Sequence, residues 1–132
     1  MPTIFFPNNR PYDPNDNRPY AQVILTDSSG TRKTSVYWCL VDTGSDYIIL
    51  PISATTMVGI TLSGATNTLH GVTGSASFNF ETGLQVSVEG YTITADVLFD
   101  PAPTATFVPI LGRAAILAAF DLGFNVNDWL WT

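Results

Sequence analysis

Short apolar runs separated by polar, turn-forming residues recur along most of this chain. Alternating or continuously apolar segments predict strands at 21–26, 34–41, 47–50, 75–81, 84–88 and 91–99. The intervening segments are rich in Gly, Ser, Asp, Glu and Thr, and turns are expected at 27–30, 81–83 and 89–90. The pattern therefore predicts an all-β chain, in which the segments between 75 and 99 form a meander of hairpins.

One segment carries a helical signal instead. Residues 113–120 contain the run Ala-Ala-Ile-Leu-Ala-Ala without a helix breaker and directly follow Gly112. A short helix is therefore predicted close to the C-terminal end. The stretch from 52 to 68, rich in Ser, Thr and Gly, shows no clear period, and no element is predicted there.

The two ends of the chain differ from its body. The first nineteen residues hold five prolines, which predicts an extended arm over 1–19 and not a helix. At the other end Leu122, Phe124 and Val126 alternate with small or polar residues, and Trp129 and Trp131 repeat the alternation after a turn. The two tryptophans either face the core of their own chain or cover an interface with a second copy, and both interpretations remain open.

Composition narrows the class of protein. A chain of 132 residues with 45% hydrophobic and 12% charged residues is expected to fold as one domain, 1–132, with a substantial core. The net charge of -6 and the single lysine leave no basic patch, so no nucleic-acid binding is expected. No apolar run has transmembrane length and the first residues lack signal-peptide character, so we expect a soluble chain that does not contact a membrane.

The chain is also poor in metal-binding side chains. Cys39 is the only cysteine and His70 the only histidine, so neither an internal disulfide nor a four-ligand zinc site is expected, and no other cofactor is implied. A lone cysteine favours a reducing, intracellular compartment. Neither residue is expected to be catalytic, because Cys39 lies in an apolar strand and no Ser nucleophile elbow accompanies His70.

The candidate chemistry lies in one tetrapeptide. The sequence Asp42-Thr43-Gly44-Ser45 occurs once, between the apolar runs 37–41 and 47–50. A carboxylate in that setting predicts a bend that presents an acid at its tip. The similar segment Asp27-Ser28-Ser29-Gly30 is interpreted as a hairpin turn, because it lies between amphipathic strands.

Further segments share a pattern with a known family. The run Leu40-Val41-Asp42-Thr43-Gly44 is followed by Gly71-Val72-Thr73-Gly74 and then by Ile110-Leu111-Gly112-Arg113, and 18–24 precedes all three. These segments resemble parts of the retropepsins, the retroviral-type aspartic peptidases. Segment 18–24 resembles their opening strand, 40–44 their catalytic bend, 71–74 their flap and 110–113 the start of their helix. The resemblance begins at about residue 17 and runs to the end. The chain departs from the family at Ser45, where retropepsins usually carry Ala, and in the greater length of segment 18–42.

This resemblance implies a fold and an activity. The implied fold is a retropepsin-like closed or orthogonal β-barrel with one short C-terminal helix, whose active site lies on the twofold axis of a homodimer. Peptide hydrolysis of this kind needs two carboxyls that share one proton, so that one activates water while the other protonates the carbonyl oxygen. One chain supplies only Asp42. A homodimeric aspartic endopeptidase with one Asp42 from each subunit, acting on a peptide or polyprotein, is therefore expected.

The resemblance also implies roles for the neighbouring residues. Thr43 is expected to hydrogen-bond across the dimer axis, and Gly44 to let backbone and substrate approach closely. Asp46 and Arg113 are expected to form a structural ion pair, to which Arg18 of the other subunit contributes. The residues assigned to substrate binding are Ser45, Asp46, Gly71, Val72, Thr73 and Gly74.

Three hypotheses accompany this interpretation. Ser45 is expected to donate a hydrogen bond to the outer oxygen of Asp42, which would favour the ionised acid and move activity towards lower pH. The chain is alternatively a catalytically silent module for dimerisation or peptide binding. Finally, Phe6-Pro7 has the form of a retropepsin processing site, so self-cleavage before Pro7 is conceivable.

Overall fold

The computed structural model describes residues 8–71, 74–124 and 127–131, and these ranges are dominated by strands. In chain order the elements are β1 (Asn8–Pro11), β2 (Tyr20–Thr26), β3 (Tyr37–Asp42), β4 (Ile48–Pro51), α1 (Ser53–Val58), β5 (Thr66–Gly71), β6 (Gly74–Val88), β7 (Tyr91–Asp100), β8 (Ile110–Gly112), α2 (Arg113–Ala119), β9 (Leu122–Phe124) and β10 (Asp128–Trp131). The predicted all-β class and the short C-terminal helix are confirmed.

The larger sheet has the strand order β2-β3-β8-β4-β7-β6-β5. Because β2 also pairs with β6, the pairings of six of these strands close into a ring, and β5 extends β6 beyond it. Two pairs are parallel, β3 with β8 and β4 with β7. Of the meander predicted over 75–99, the antiparallel hairpin of β6 with β7 is present, whereas these parallel pairs were not predicted. Parallel partners come from distant parts of the chain, where no local turn marks the pairing.

The core fills the inside of this ring. Along β3 the side chains alternate, so that Cys39 and Val41 are buried while Trp38 is exposed and Leu40 and Asp42 are half-buried. Phe99 and Leu111 pack in the same interior from β7 and β8. Burying a side chain of this size contributes about 1.5–3 kcal/mol. This burial fixes which face of β3 carries Asp42.

A smaller sheet of three strands, in the order β1-β10-β9, joins the two ends of the described chain. The predicted extended arm is thus partly a sheet strand. In β10 the rings of Trp129 and Trp131 stack with centroids 4.4 Å apart, and both side chains are buried in the core. The indole N–H of Trp129 donates to the carbonyl of Tyr20 at 3.1 Å. Of the two interpretations of these tryptophans, the core-facing one is correct.

Buried charge holds β1 against the larger sheet. The guanidinium of Arg10 donates through two nitrogens to the two carboxylate oxygens of Glu89, each at 2.7 Å. The Glu89 side chain is only 5% exposed, and it also accepts from the amide of Gln22 at 3.0 Å. Because a buried carboxylate without its cation is strongly destabilising, this contact fixes the arm strand to the turn between β6 and β7.

Two other predictions are corrected. Helix α1 and strand β5 lie in the segment for which no element was predicted. The helix ends at Gly59, which adopts the left-handed conformation (φ 70) suited to a helix end. The turn predicted at 81–83 is a shift of register within the continuous strand β6, between Glu81 and Leu84. In contrast, the predicted turn at 89–90 joins β6 to β7.

Both helices are short. Among the residues that the structure describes, no helix is long and apolar enough to cross a membrane.

Candidate active site

Strands β3 and β8 bring two distant motifs of the sequence together. Their parallel register pairs Leu40 with Ile110, Val41 with Leu111, and Asp42 with Gly112. Strand β8 also pairs with β4, which follows the Asp42 bend, so it lies between the strands on either side of that bend. The segments 40–44 and 110–113 are therefore neighbours in the fold.

The bend itself is organised by Asp42. Its carboxylate oxygen Oδ1 accepts a hydrogen bond from the amide of Gly44 at 2.9 Å, and its carbonyl accepts from the amide of Ser45 at 3.2 Å. Asp42 is half-buried, whereas Thr43 and Gly44 are exposed. A Cβ atom on residue 44 would lie 3.2 Å from Oδ1 of Asp42. The glycine therefore leaves room for the carboxylate at the tip of the bend.

Gly112 makes the closest backbone approach to the bend. A Cβ at this position would lie 2.3 Å from the carbonyl oxygen of Tyr47 and 2.6 Å from its nitrogen. Side chains never approach backbone atoms so closely, and thus only glycine fits while the bend holds its position. The need is steric, since the φ of Gly112 is -88, a value open to other residues.

The start of α2 holds the far side of the bend. The amides of Arg113 and Ala114 donate to the carbonyls of Ser45 and Asp46 at 2.8 and 3.0 Å. The first amides of a helix have no partner within it, so the bend satisfies two of them. This clamp was not predicted from the sequence, because it is made by the backbone amides of Arg113 and Ala114 and the carbonyls of residues 45 and 46.

The predicted contact between Asp46 and Arg113 is present. Nε and Nη2 of Arg113 both lie 2.7 Å from Oδ1 of Asp46. The two side chains are 58% and 56% exposed, and an exposed pair of this kind contributes about 0–1 kcal/mol. The backbone bonds of the clamp therefore carry most of the attachment in the single chain.

Arg18 was predicted to join this ion pair from the other subunit. Within its own chain it takes no part in the Asp46–Arg113 pair. Its amide donates to Oδ1 of Asp16 at 3.1 Å. The ion pairs among the described residues join Arg10 to Glu89 and Arg113 to Asp46. The contact of Arg18 with a second subunit stays a prediction.

The hydrogen bond predicted from Ser45 to Asp42 is wrong for this structure. The hydroxyl of Ser45 donates to the carbonyl of Tyr47 at 3.4 Å, a long hydrogen bond. Oδ1 of Asp42 is occupied by the amide of Gly44 instead. The Ser45 side chain is directed along the bend towards Tyr47, so the argument for a more acidic optimum loses its physical basis.

The predicted flap lies at the end of a hairpin. Strands β5 and β6 pair from Thr66 with Asn79 to Gly71 with Gly74, and Val72 and Thr73 lie outside the described residues. The hairpin strand β6 contacts the bend through the rings of Phe80 and Tyr47, whose centroids are 5.5 Å apart at 67°. Neither ring was assigned a role from the sequence, where each is one apolar position among many.

Other candidate chemistry is not favoured by the site. Burial raises the pKa of the Cys39 thiol far above its ordinary range, which disfavours the reactive thiolate. In the described ranges, no group of three or more His, Cys, Asp or Glu side chains is placed to hold a metal ion. The bend thus offers the carboxyl of Asp42, which has no cation against it among the described residues, with one backbone donor and exposed small residues around it.

Comparison with models of protein families found no match for this chain. Comparison with curated protein sequences found none either.

Proposed function

We propose that the protein is an aspartic endopeptidase that is active as a homodimer, with Asp42 of each subunit forming the catalytic pair. The observation that carries the proposal is the pairing of Asp42 with Gly112, which joins the two segments that resemble retropepsins most specifically. Neighbouring strands bring these motifs together from widely separated parts of the chain. The proposal includes a retropepsin-like barrel, for which the ring of six strand pairings is support.

The surroundings of Asp42 suit the role of a shared carboxyl. The side chain is half-buried at an exposed tip, and its contact within the bend is a backbone N–H and not a cation. A carboxylate left accessible in this way can meet a second carboxylate across a twofold axis. Thr43 and Gly44 are exposed beside it, as a contact across that axis requires.

The proposed reaction follows from placing two such acids together. Like charges at close range disfavour double ionisation, so the pair holds one proton. The ionised carboxylate takes a proton from water as the water attacks the peptide carbonyl, and the protonated acid donates to the carbonyl oxygen. The carboxyl that took the water proton then gives it to the amide nitrogen while the other carboxylate takes a proton from a hydroxyl of the tetrahedral intermediate, so that the C–N bond breaks and the starting pair is restored. The amide of Gly44 donates to Oδ1 of Asp42 and so orients this carboxyl at the tip of the bend.

The decisive experiment compares wild-type and Asp42→Asn protein on an unfolded protein substrate. Wild-type protein is expected to cleave it in a manner blocked by pepstatin, and Asp42→Asn is expected to abolish cleavage while sedimentation velocity still detects the dimer. Asp121→Asn is the matched control, since Asp121 is an exposed aspartate outside the bend. Cleavage that survives Asp42→Asn would refute the proposal.

A mixing experiment tests whether the site is shared between subunits. At concentrations where the protein is dimeric and subunits exchange, adding nine parts of Asp42→Asn protein to one part of wild type should lower the wild-type rate to about a tenth, because most wild-type subunits then have an inactive partner. An unchanged rate would mean that one chain holds a complete site. A dimer without cleavage would favour the alternative of a catalytically silent module.

A further inference from the structure

A wide groove opens beside the first residues of β3. It has a volume of about 730 Å³ and is lined by the arm segment 10–15, by Tyr20 and Trp38, and by residues 107–109. Four of the lining residues are aromatic and three are prolines. The volume is typical of sites that hold a small organic molecule or a few residues of peptide. Trp38 is 48% exposed, so much of this aromatic surface is open to solvent.

The groove lies on the face of β3 that carries Asp42. Because side chains alternate along a strand and Cys39 and Val41 face the core, Trp38 and Asp42 share the outer face, with Leu40 between them. Four residues of strand span about 13 Å. The groove is therefore separate from the bend, yet a few extended residues of one polypeptide would connect the two.

Negative charge exceeds positive charge around the groove. The guanidinium of Arg10 lies 5.0 Å from the centre of the Trp38 ring, but Glu89 neutralises it. The carboxylate of Asp13 accepts a hydrogen bond from the amide of Asn15 to Oδ1 at 2.8 Å, and it forms no ion pair with any residue that the structure describes. The groove thus carries one uncompensated negative charge beside its aromatic rings.

The neighbouring charges do not change this balance. At the same rim Asp16 accepts a hydrogen bond from the hydroxyl of Tyr20, and the charges of Arg18 and Asp13 also act on that group. Two carboxylates and one guanidinium therefore surround the Tyr20 hydroxyl, which leaves one negative charge in excess, and of the two carboxylates only that of Asp13 lines the groove. The excess is therefore the carboxylate of Asp13, which lies next to Tyr12 in the lining of the groove.

We propose that this groove binds an extended peptide segment that contains proline and a basic residue. Aromatic grooves hold the flat rings of proline in the polyproline conformation, at a low cost in entropy because that conformation is already restricted. A Lys or Arg of the segment would place its charge against Asp13 and its aliphatic stem along the rings of Tyr12 and Tyr20. No residue of the Asp42 bend lines the groove, so this binding does not depend on the proposed peptidase activity.

The test measures binding without catalysis. Asp42→Asn protein is titrated against the fluorescein-labelled peptide acetyl-Pro-Pro-Lys-Pro-Pro, with anisotropy as the readout. Saturable binding is expected, accompanied by a change in Trp38 emission. Replacing the lysine of the peptide by glutamine should weaken binding about threefold to tenfold, and replacing the prolines by alanine should weaken it further.

Variants of the protein locate the site. In the Asp42→Asn background, Asp13→Asn should weaken binding of the lysine peptide by the same threefold to tenfold factor. It should also make the lysine and glutamine peptides bind equally, because the change in the protein and the change in the peptide remove the same contact. Trp38→Ala should abolish binding, whereas Asp121→Asn should leave it unchanged. Asparagine at 13 keeps the acceptor for the Asn15 amide, so the fold is preserved.

Three outcomes would overturn the proposal. They are an absence of binding at millimolar peptide, equal binding of the lysine and glutamine peptides, and binding that is indifferent to Asp13→Asn and Trp38→Ala. A second copy of the chain is the competing occupant. In that case Trp38 emission would shift with protein concentration in the absence of peptide, and a Trp38→Ala variant would lose self-association, which would also refute peptide binding in this groove.

Discussion

Replacing Gly112 by alanine tests whether the close approach of β8 to the bend holds the site together. The added Cβ would lie 2.3, 2.6 and 2.7 Å from the carbonyl oxygen, nitrogen and carbonyl carbon of Tyr47. All three are backbone atoms, so no side-chain rotation relieves the contact. The chain at Tyr47 must move away by about 1 Å to restore ordinary van der Waals distances.

The magnitude follows from what this movement disturbs. Forcing an extra methyl group into a packed region costs about 1–3 kcal/mol. The same movement weakens the bonds from the amides of Arg113 and Ala114 to the bend, each worth about 0.5–1.5 kcal/mol. A loss of about 2–5 kcal/mol in the free energy of unfolding is expected, which corresponds to a fall in Tm of about 8–20 °C for a domain of this size.

Urea unfolding followed by circular dichroism measures this loss. Gly30→Ala is the matched control: Gly30 has a left-handed backbone (φ 74) but open space around its Cβ position, so alanine there should cost only about 1–2 kcal/mol of backbone strain. If the free energy of unfolding of Gly112→Ala lies within about 0.5 kcal/mol of the wild-type value, the steric argument fails.

Two other substitutions have defined outcomes. Ser45→Ala should leave the pH profile of peptide cleavage unchanged, because its hydroxyl donates to Tyr47 and not to Asp42; a shift of the acidic limb towards higher pH would restore the original hypothesis. Arg10→Gln should lower the free energy of unfolding by about 2–4 kcal/mol, because it leaves Glu89 buried without its cation. Arg113→Gln breaks an ion pair that is more than half exposed, so it should lower the free energy of unfolding by under about 1 kcal/mol. Equal losses for Arg10→Gln and Arg113→Gln would contradict the argument that burial makes the Arg10 pair the more important one.

Periodicity predicted the strands well where one face of the strand is buried. Strand β2 alternates between half-buried and buried positions from Tyr20 to Leu25, and its limits agree with the pattern to within one residue. Helix α1 escaped prediction because it has one and a half turns and contains threonines, which are weak helix formers. Its formation depends on packing Ala54 and Val58 into the core, a tertiary effect that a short sequence window does not contain.

The pairing of strands was harder to predict than their positions. Hairpins such as β6 with β7 are local and carry turn residues, whereas β8 is three residues long and lies between β3 and β4. Only the similarity of 110–113 to a known motif drew attention to it. The turn predicted at 81–83 is a bulge, in which Gly83 has a left-handed backbone (φ 68). Glycine adopts this conformation in turns and in bulges, so its presence in the sequence does not distinguish the two.

In the candidate site, the side chains were predictable from the sequence, whereas the backbone contacts were not. Asp42, Gly44, Asp46 and Arg113 were identified from the sequence, and the structure places all four around one bend. The bonds that position the bend come instead from main-chain amides and carbonyls at 45–47 and 112–114. Such groups are present in every residue, so their role becomes visible only when the fold brings them together.

This backbone clamp bears on how the proposed dimer would assemble. Each bend is already fixed within its own chain by α2 and β8, and the strands β1, β10 and β9 pair with one another within one chain. Association of two such subunits would not need to order either the catalytic bend or these terminal strands, which lowers the entropy lost on binding. The energy of the interface would then come chiefly from surface around Asp42, Thr43 and the flap. Substitution at Thr43 should consequently weaken the dimer more than it weakens the fold of the subunit.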